Sequence, residues 1–183
     1  MFKSIQTKII SIFILTILSV VVVIGSFLTA NIVKFYNDEF YVMMEKVFTP
    51  GLVSELENSA NLSGSDGIRD IVGSYAGPLG IDTYRFYAIL DAKTGAVLYS
   101  SDPAKSANLE KSDNIITAMA GRNGNISDTE KTYMDYAVPI NSSYIAYVKD
   151  TKNEVNSVTR NVIFILMEAL LVSVCIAVVV SFF

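Results

Sequence analysis

Tyr84–Ser100, YRFYAILDAKTGAVLYS, decides the class of fold. Tyr84, Phe86, Ala88 and Leu90 alternate with Arg85, Tyr87, Ile89 and Asp91, and a period of two in an aromatic-rich run predicts a strand. Asp91–Gly95 then supplies turn residues and Ala96–Ser100 the returning strand of a β-hairpin. Toward the C-terminus, a polar loop over Ser101–Lys111 leads to a short helix, capped by Ser112 or Asp113 and closed by Gly121. Two further strands are expected at Lys131–Ile140 and Tyr144–Lys149, joined by Asn141–Ser143, with a shorter one near Asn125–Asp128. Toward the N-terminus, a turn cluster at Asn61–Gly67 and a break at Gly77–Gly80 enclose an amphipathic piece, Ile68–Val72. Before them Val33, Tyr36, Phe40, Met43 and Val47 recur at heptad spacing until Pro50-Gly51 interrupts the helix, which resumes through Leu52, Val53 and Leu56. Two heptads leave the covering partner open between the chain's own sheet and a second copy. Antiparallel strands with covering helices define an α+β domain with a central antiparallel sheet and a long N-terminal helix.

Outside this domain the chain turns apolar. Ile9–Val33 holds no charge across twenty-five positions, about 37 Å of helix against a hydrocarbon core of about 30 Å. It is longer than a signal-peptide core and has no small-residue cleavage site, so a spanning helix is expected. Asn161–Phe183 carries one charge, Glu168, and fifteen Leu, Ile, Val and Phe residues. Those favour insertion by about 4.5–9 kcal/mol against about 2.5–3.5 kcal/mol for the acid. Thr151–Glu154 reads as a capping box opening a helix that runs on into this block.

Lys3 and Lys8 assign residues 1–8 to the cytoplasm, 9–33 and 161–183 to the cell membrane, and 34–160 to the extracytoplasmic side. That outer part holds twelve basic and seventeen acidic residues. The last block stops at Phe183 without a basic flank, so the chain is expected to be the membrane and outer part of a longer protein. Along the first span Thr16, Ser19, Val23, Ser26 and Ala30 form a small, partly polar stripe suited to close helix contact in a homodimer, or else simply facing lipid.

Composition narrows the chemistry. The 183 residues are 51% hydrophobic, carry a net charge of −4, and include no histidine and one cysteine, Cys175. Histidine-based acid–base catalysis, a histidine phosphoacceptor within these residues, a disulfide scaffold and a basic nucleic-acid surface are therefore excluded. No nucleotide-binding, metalloprotease or nucleophile-elbow motif occurs, so the chain is expected not to act as an enzyme and to hold no cofactor. Asp66, Asp70 and Asp82 lack a regular cation-ligand spacing, and no metal is expected. Three Asn-x-Ser sequences, at Asn61, Asn125 and Asn141, read as turn residues.

The stretches FYAILDAKTGAVLYSSD, IITAMAG, YMDYAVPI and YIAYVKD together resemble the single Cache, PAS-like extracytoplasmic domain of bacterial signal receptors. With FKSIQTKIISIFILTILSVVVVIGSF before them and LVSVCIAVVVSFF after them, the whole resembles the front end of a two-component sensor histidine kinase. The resemblance is to the WalK type of Gram-positive bacteria, which governs cell-wall metabolism. It implies signal transmission to a kinase module beyond Phe183. Sensor regions of chemoreceptors and diguanylate cyclases share the arrangement, and a membrane protein whose outer domain merely docks a partner protein is the alternative of a different class. A ligand pocket on one sheet face is expected to use Arg85, Tyr87, Tyr99, Tyr133 and Asp135, with Arg85 clamping a carboxylate or phosphate of a small or wall-derived molecule. The plainer reading pairs Arg85 with Asp135 across the strands and leaves the tyrosines in the core.

Overall fold

A computed structural model describes residues 5–182 of the chain, so Lys3 and Phe183 lie outside the described residues. The elements are α1 (Ile5–Val47), α2 (Pro50–Ser74), β1 (Arg85–Asp91), β2 (Val97–Ser100), α3 (Pro103–Ser106), α4 (Asp113–Met119), β3 (Met134–Pro139), β4 (Tyr144–Asp150) and α5 (Asn153–Phe182). They form an α+β protein whose single sheet is antiparallel in the order β2-β1-β4-β3. Two compact units result: Tyr36–Asn153, and the described residues up to Phe35 together with those from Glu154 onward.

In the second of these units, α1 and α5 are each long and apolar enough to cross a membrane, and none of their most apolar stretches is buried within the chain. Along α1 the hydroxyls of Thr16 and Ser19 donate to carbonyls one turn back, at Ile12 and Leu15, so neither hydroxyl needs an outside partner. Gly25 lets Leu166 approach, since a Cβ on it would lie 3.1 Å from that side chain.

In the Tyr36–Asn153 unit the sheet is covered on both faces. β1, β3 and β4 are buried almost throughout rather than in alternation. One face meets α4, where Ile115 and Ala118 pack on Phe86, Ala88, Leu90, Ala137, Ile145 and Tyr147. The other meets α1 and α2: Phe48 stacks on Tyr136 at 5.9 Å, and Tyr41 lies 6.3 Å from the same ring. The buried seam of α1 is Asn37, Phe40, Tyr41 and Met44, continued by Phe48 just past its end, which corrects the expected heptad except at Phe40. That seam packs on the chain's own sheet, so sheet burial selects the face; each fully buried apolar side chain contributes about 1.5–3 kcal/mol.

Pro50 starts α2 rather than merely ending α1. Thr49 is extended, as a residue before proline must be, and its hydroxyl accepts from the Leu52 amide. The turn expected across Asn61–Gly67 is concentrated in one residue, Gly64, at φ 63° and ψ −141°, a conformation reserved for glycine. The chain bends there so sharply that a Cβ on Gly67 would lie 2.7 Å from the Ser59 carbonyl oxygen.

Three expectations need correction. The loop over 101–111 contains a helical turn, α3, started by Asp102 whose carboxylate accepts from the Lys105 amide. No strand forms over Asn125–Asp128; Gly124 makes a single bridge with Ala137 on the outer side of β3. The capping box at Thr151 is not formed. Its hydroxyl donates to the Tyr84 carbonyl, and Lys152, at φ 57°, immediately precedes α5.

Candidate functional site

Strand register separates the five residues expected to share a pocket. Arg85 stands opposite Asp150, and Asp135 opposite Lys149, so the Arg85–Asp135 pair is replaced by Arg85–Asp150. Arg85, Tyr87 and Tyr99 belong to the face covered by α1 and α2, whereas Tyr133 and Asp135 belong to the α4 side. A single pocket on one face lined by all five is therefore corrected: β-strand residues of opposite parity point apart.

Arg85 is committed to structural partners. Its Nε donates to Asp150 Oδ2 at 2.9 Å and its Nη1 to the Leu79 carbonyl at 2.9 Å, while the guanidinium sits 5.1 Å from the Phe40 ring centre. The side chains of the pair are only 14% and 11% exposed, so the guanidinium is turned inward. Beside it Tyr87 and Tyr99 pack at 5.8 Å, with Arg69 of α2 over Tyr99. Burial, together with Tyr99 alongside, pushes the Tyr87 phenol up to about 12.

Across the sheet a second acid is buried in a different way. Asp135 is 2% exposed and accepts from Asn114 Nδ2 at 2.8 Å, from Tyr147 OH at 3.1 Å and from the Ser112 hydroxyl. Every one of these donors is neutral. Ser112 has a double duty: it caps α4 by accepting from the Ile115 amide and donates a hydrogen bond to the carboxylate. Burial raises the Tyr147 phenol, and the Asp135 charge adds to that. Lys149, half-buried, places its ammonium 4.1 Å from the Tyr133 ring centre and forms no ion pair among the described residues. Its burial lowers its affinity for the proton, against the pull of Asp135 and Glu110. The cluster thus places a cation without an ion-pair partner among the described residues on an aromatic ring, with a neutral-donor network behind it.

Sequence reasoning missed Asn114, Tyr147 and Lys149. Lys149 and Tyr147 carried a readable signal, because alternation along β4 places both on the face of Asp135 once the register is known. An open cleft of about 710 Å³ lies at the far end of the sheet, between the C-terminus of α4 (Met119, Gly121) and the two hairpin turns (Lys93, Asn141); none of the five expected residues lines it. Asp66 and Asp70 both pair with Arg69, while Asp82 accepts from the amides of Tyr84 and Arg85, so these acids serve local structure. Among the described residues no group of three metal-ligating side chains converges.

Comparison with known proteins finds no matching family model, no matching curated protein and no matching solved structure.

Proposed function

We propose that the chain is the transmembrane signal-sensing region of a two-component sensor histidine kinase, with Tyr36–Asn153 as a PAS-like, single Cache extracytoplasmic domain. One observation carries this reading. The α+β unit is inserted between two apolar helices with almost no linker: α1 is a single helix from Ile5 to Val47, and α5 starts three residues after β4 ends. Short connections of this kind suit a domain whose ligand-dependent arrangements are to be transmitted, because a bound solute shifts an equilibrium only through its differential affinity for two states. In this reading the ligand carries a carboxylate or phosphate, and Lys149 with Tyr133 receives it in place of Arg85, which is paired with Asp150. The chain works as a homodimer in the membrane, with output from a kinase module outside these residues.

The test is a thermal-shift screen of the intact chain in lipid nanodiscs against organic acids, amino acids and wall fragments, followed by Lys149→Gln. Stabilisation by an anionic solute that the substitution abolishes supports the reading; no stabilisation by any of the panel, or stabilisation indifferent to Lys149, overturns the assigned ligand class. Protease added to intact cells should cleave within 36–153, and protection of that segment refutes the topology.

A further inference from the structure

Residues 124–131 contain no helix or strand, yet this segment is tied to three separate parts of the domain. On one side it meets α1 at one residue per turn. Asn37 Nδ2 donates to the Ser127 hydroxyl, Tyr41 OH donates to the Ile126 carbonyl at 2.7 Å, and Asn125 Nδ2 donates to Glu45 Oε1 at 3.3 Å. At its other end it encloses the side chain of Lys152, whose ammonium donates to the carbonyls of Asp128, Thr129 and Lys131 at 3.2, 3.3 and 2.7 Å. Between these ends Asn114 grips Ile126 through both its amide and its carbonyl, with the same side chain that holds Asp135. Gly124 bridges Ala137, and only glycine fits there, since a Cβ would collide with the Asn114 carbonyl.

We infer that 124–131 is a clasp that couples the position of α1 to the residue preceding α5 and to the Asp135 network, so that loosening it at any one contact loosens the other two. Three features make it a movable part. Its ties are polar bonds, and its one large apolar residue, Ile126, is 48% exposed, so little buried area holds it closed. Lys152 sits in the left-handed region, at φ 57°, held by its amide donating to Asp150 Oδ1 at 2.7 Å and by the carbonyl cage around its ammonium. Asn37 is fully buried with its Oδ1 unpartnered, a polar atom that opening of the clasp would release to water. The closed state thus stores costs that only the closed contacts offset. Removal of Lys152 leaves three carbonyls without their donor, and the segment that also anchors Tyr41 loses its fixed end.

The role of this clasp as a switch rests on the sensing function proposed above; the coupling itself does not, and the experiment measures the coupling. Amide hydrogen exchange is followed on the intact chain in nanodiscs for wild type, Lys152→Met and Tyr41→Phe, with Lys105→Met as a control at a lysine outside the clasp. Lys152→Met is expected to raise exchange about tenfold in 124–131 and also in the Asn37–Glu45 segment, and Tyr41→Phe to raise it in 124–131 and at 151–153. Lys105→Met should leave all three segments unchanged. Effects confined to the neighbourhood of each substitution overturn the inference. A uniform rise across the whole Tyr36–Asn153 unit overturns it too, because the segment would then belong to one cooperative core. A chain that binds no solute but shows the reciprocal pattern loses the sensing function and keeps the clasp.

Discussion

The two faces of the sheet each bury an aspartate, and they do so by opposite means. Asp150, on the α1–α2 side, meets a guanidinium at 2.9 Å; Asp135, on the α4 side, is surrounded by a serine, an asparagine and a tyrosine. A charge pair neutralises the buried acid locally, and the second carboxylate oxygen accepts only from the Lys152 amide two residues along the chain. Neutral donors spread the charge over a network that reaches α4, β4 and the 124–131 segment at once. The first arrangement locks a position and the second connects several, so function is expected on the α4 side.

Substitutions can break or sharpen this contrast, and all ten tyrosines lie between Tyr36 and Tyr147, so tyrosine near-UV dichroism of the intact chain reports on that unit alone. The largest effect is expected from Arg85→Ala, which strands Asp150 as an uncompensated buried charge and should cost about 3–5 kcal/mol in denaturant titrations. Asp135→Asn should cost less, about 1–3 kcal/mol, because the Ser112 and Tyr147 hydroxyls can rotate to accept from the new amide. Equal losses at the two sites would erase the distinction between a lock and a network.

Raising the pH should act on both faces in turn. Folding keeps the Tyr87 and Tyr147 phenols protonated above their ordinary value of 10, so their contribution is complete below about pH 10 and is lost as pH rises through the folded-state values. Tyr87, pushed up to about 12, should ionise before Tyr147 in a tyrosinate absorbance titration, with loss of stability setting in between pH 10 and 12. Lys149 works in the opposite sense: its lowered proton affinity penalises the folded state while it is charged, and that penalty fades as pH rises. Smallest of all, Asp66→Asn should leave the unfolding midpoint unmoved, since its pair with Arg69 is exposed and Asp70 still holds the guanidinium.

Much of the fold was readable before the structure. The hairpin at 85–100, the Ser112 cap, the turn at Gly121 and the two apolar helices all rest on local rules of period and turn chemistry, which act within a few residues. What failed depended on distant partners. The buried seam of α1 runs through Asn37, Tyr41 and Met44 because the sheet and the 124–131 segment select that face, which no heptad reveals. Arg85 was singled out for its chemistry, yet its partner followed from register between strands sixty-five residues apart. Lys152 looked like an ordinary polar residue at a helix start; its carbonyl cage is assembled from residues more than twenty positions away.

The bridge between Gly124 and Ala137 occupies the outer edge of β3, while at the opposite edge β2 is only four residues long. An uncovered strand edge recruits foreign strands. The segment that would have to move in any switching event is therefore also the guard that keeps neighbouring molecules from adding to the sheet. Mutations that loosen it would surface first as self-association and poor yield.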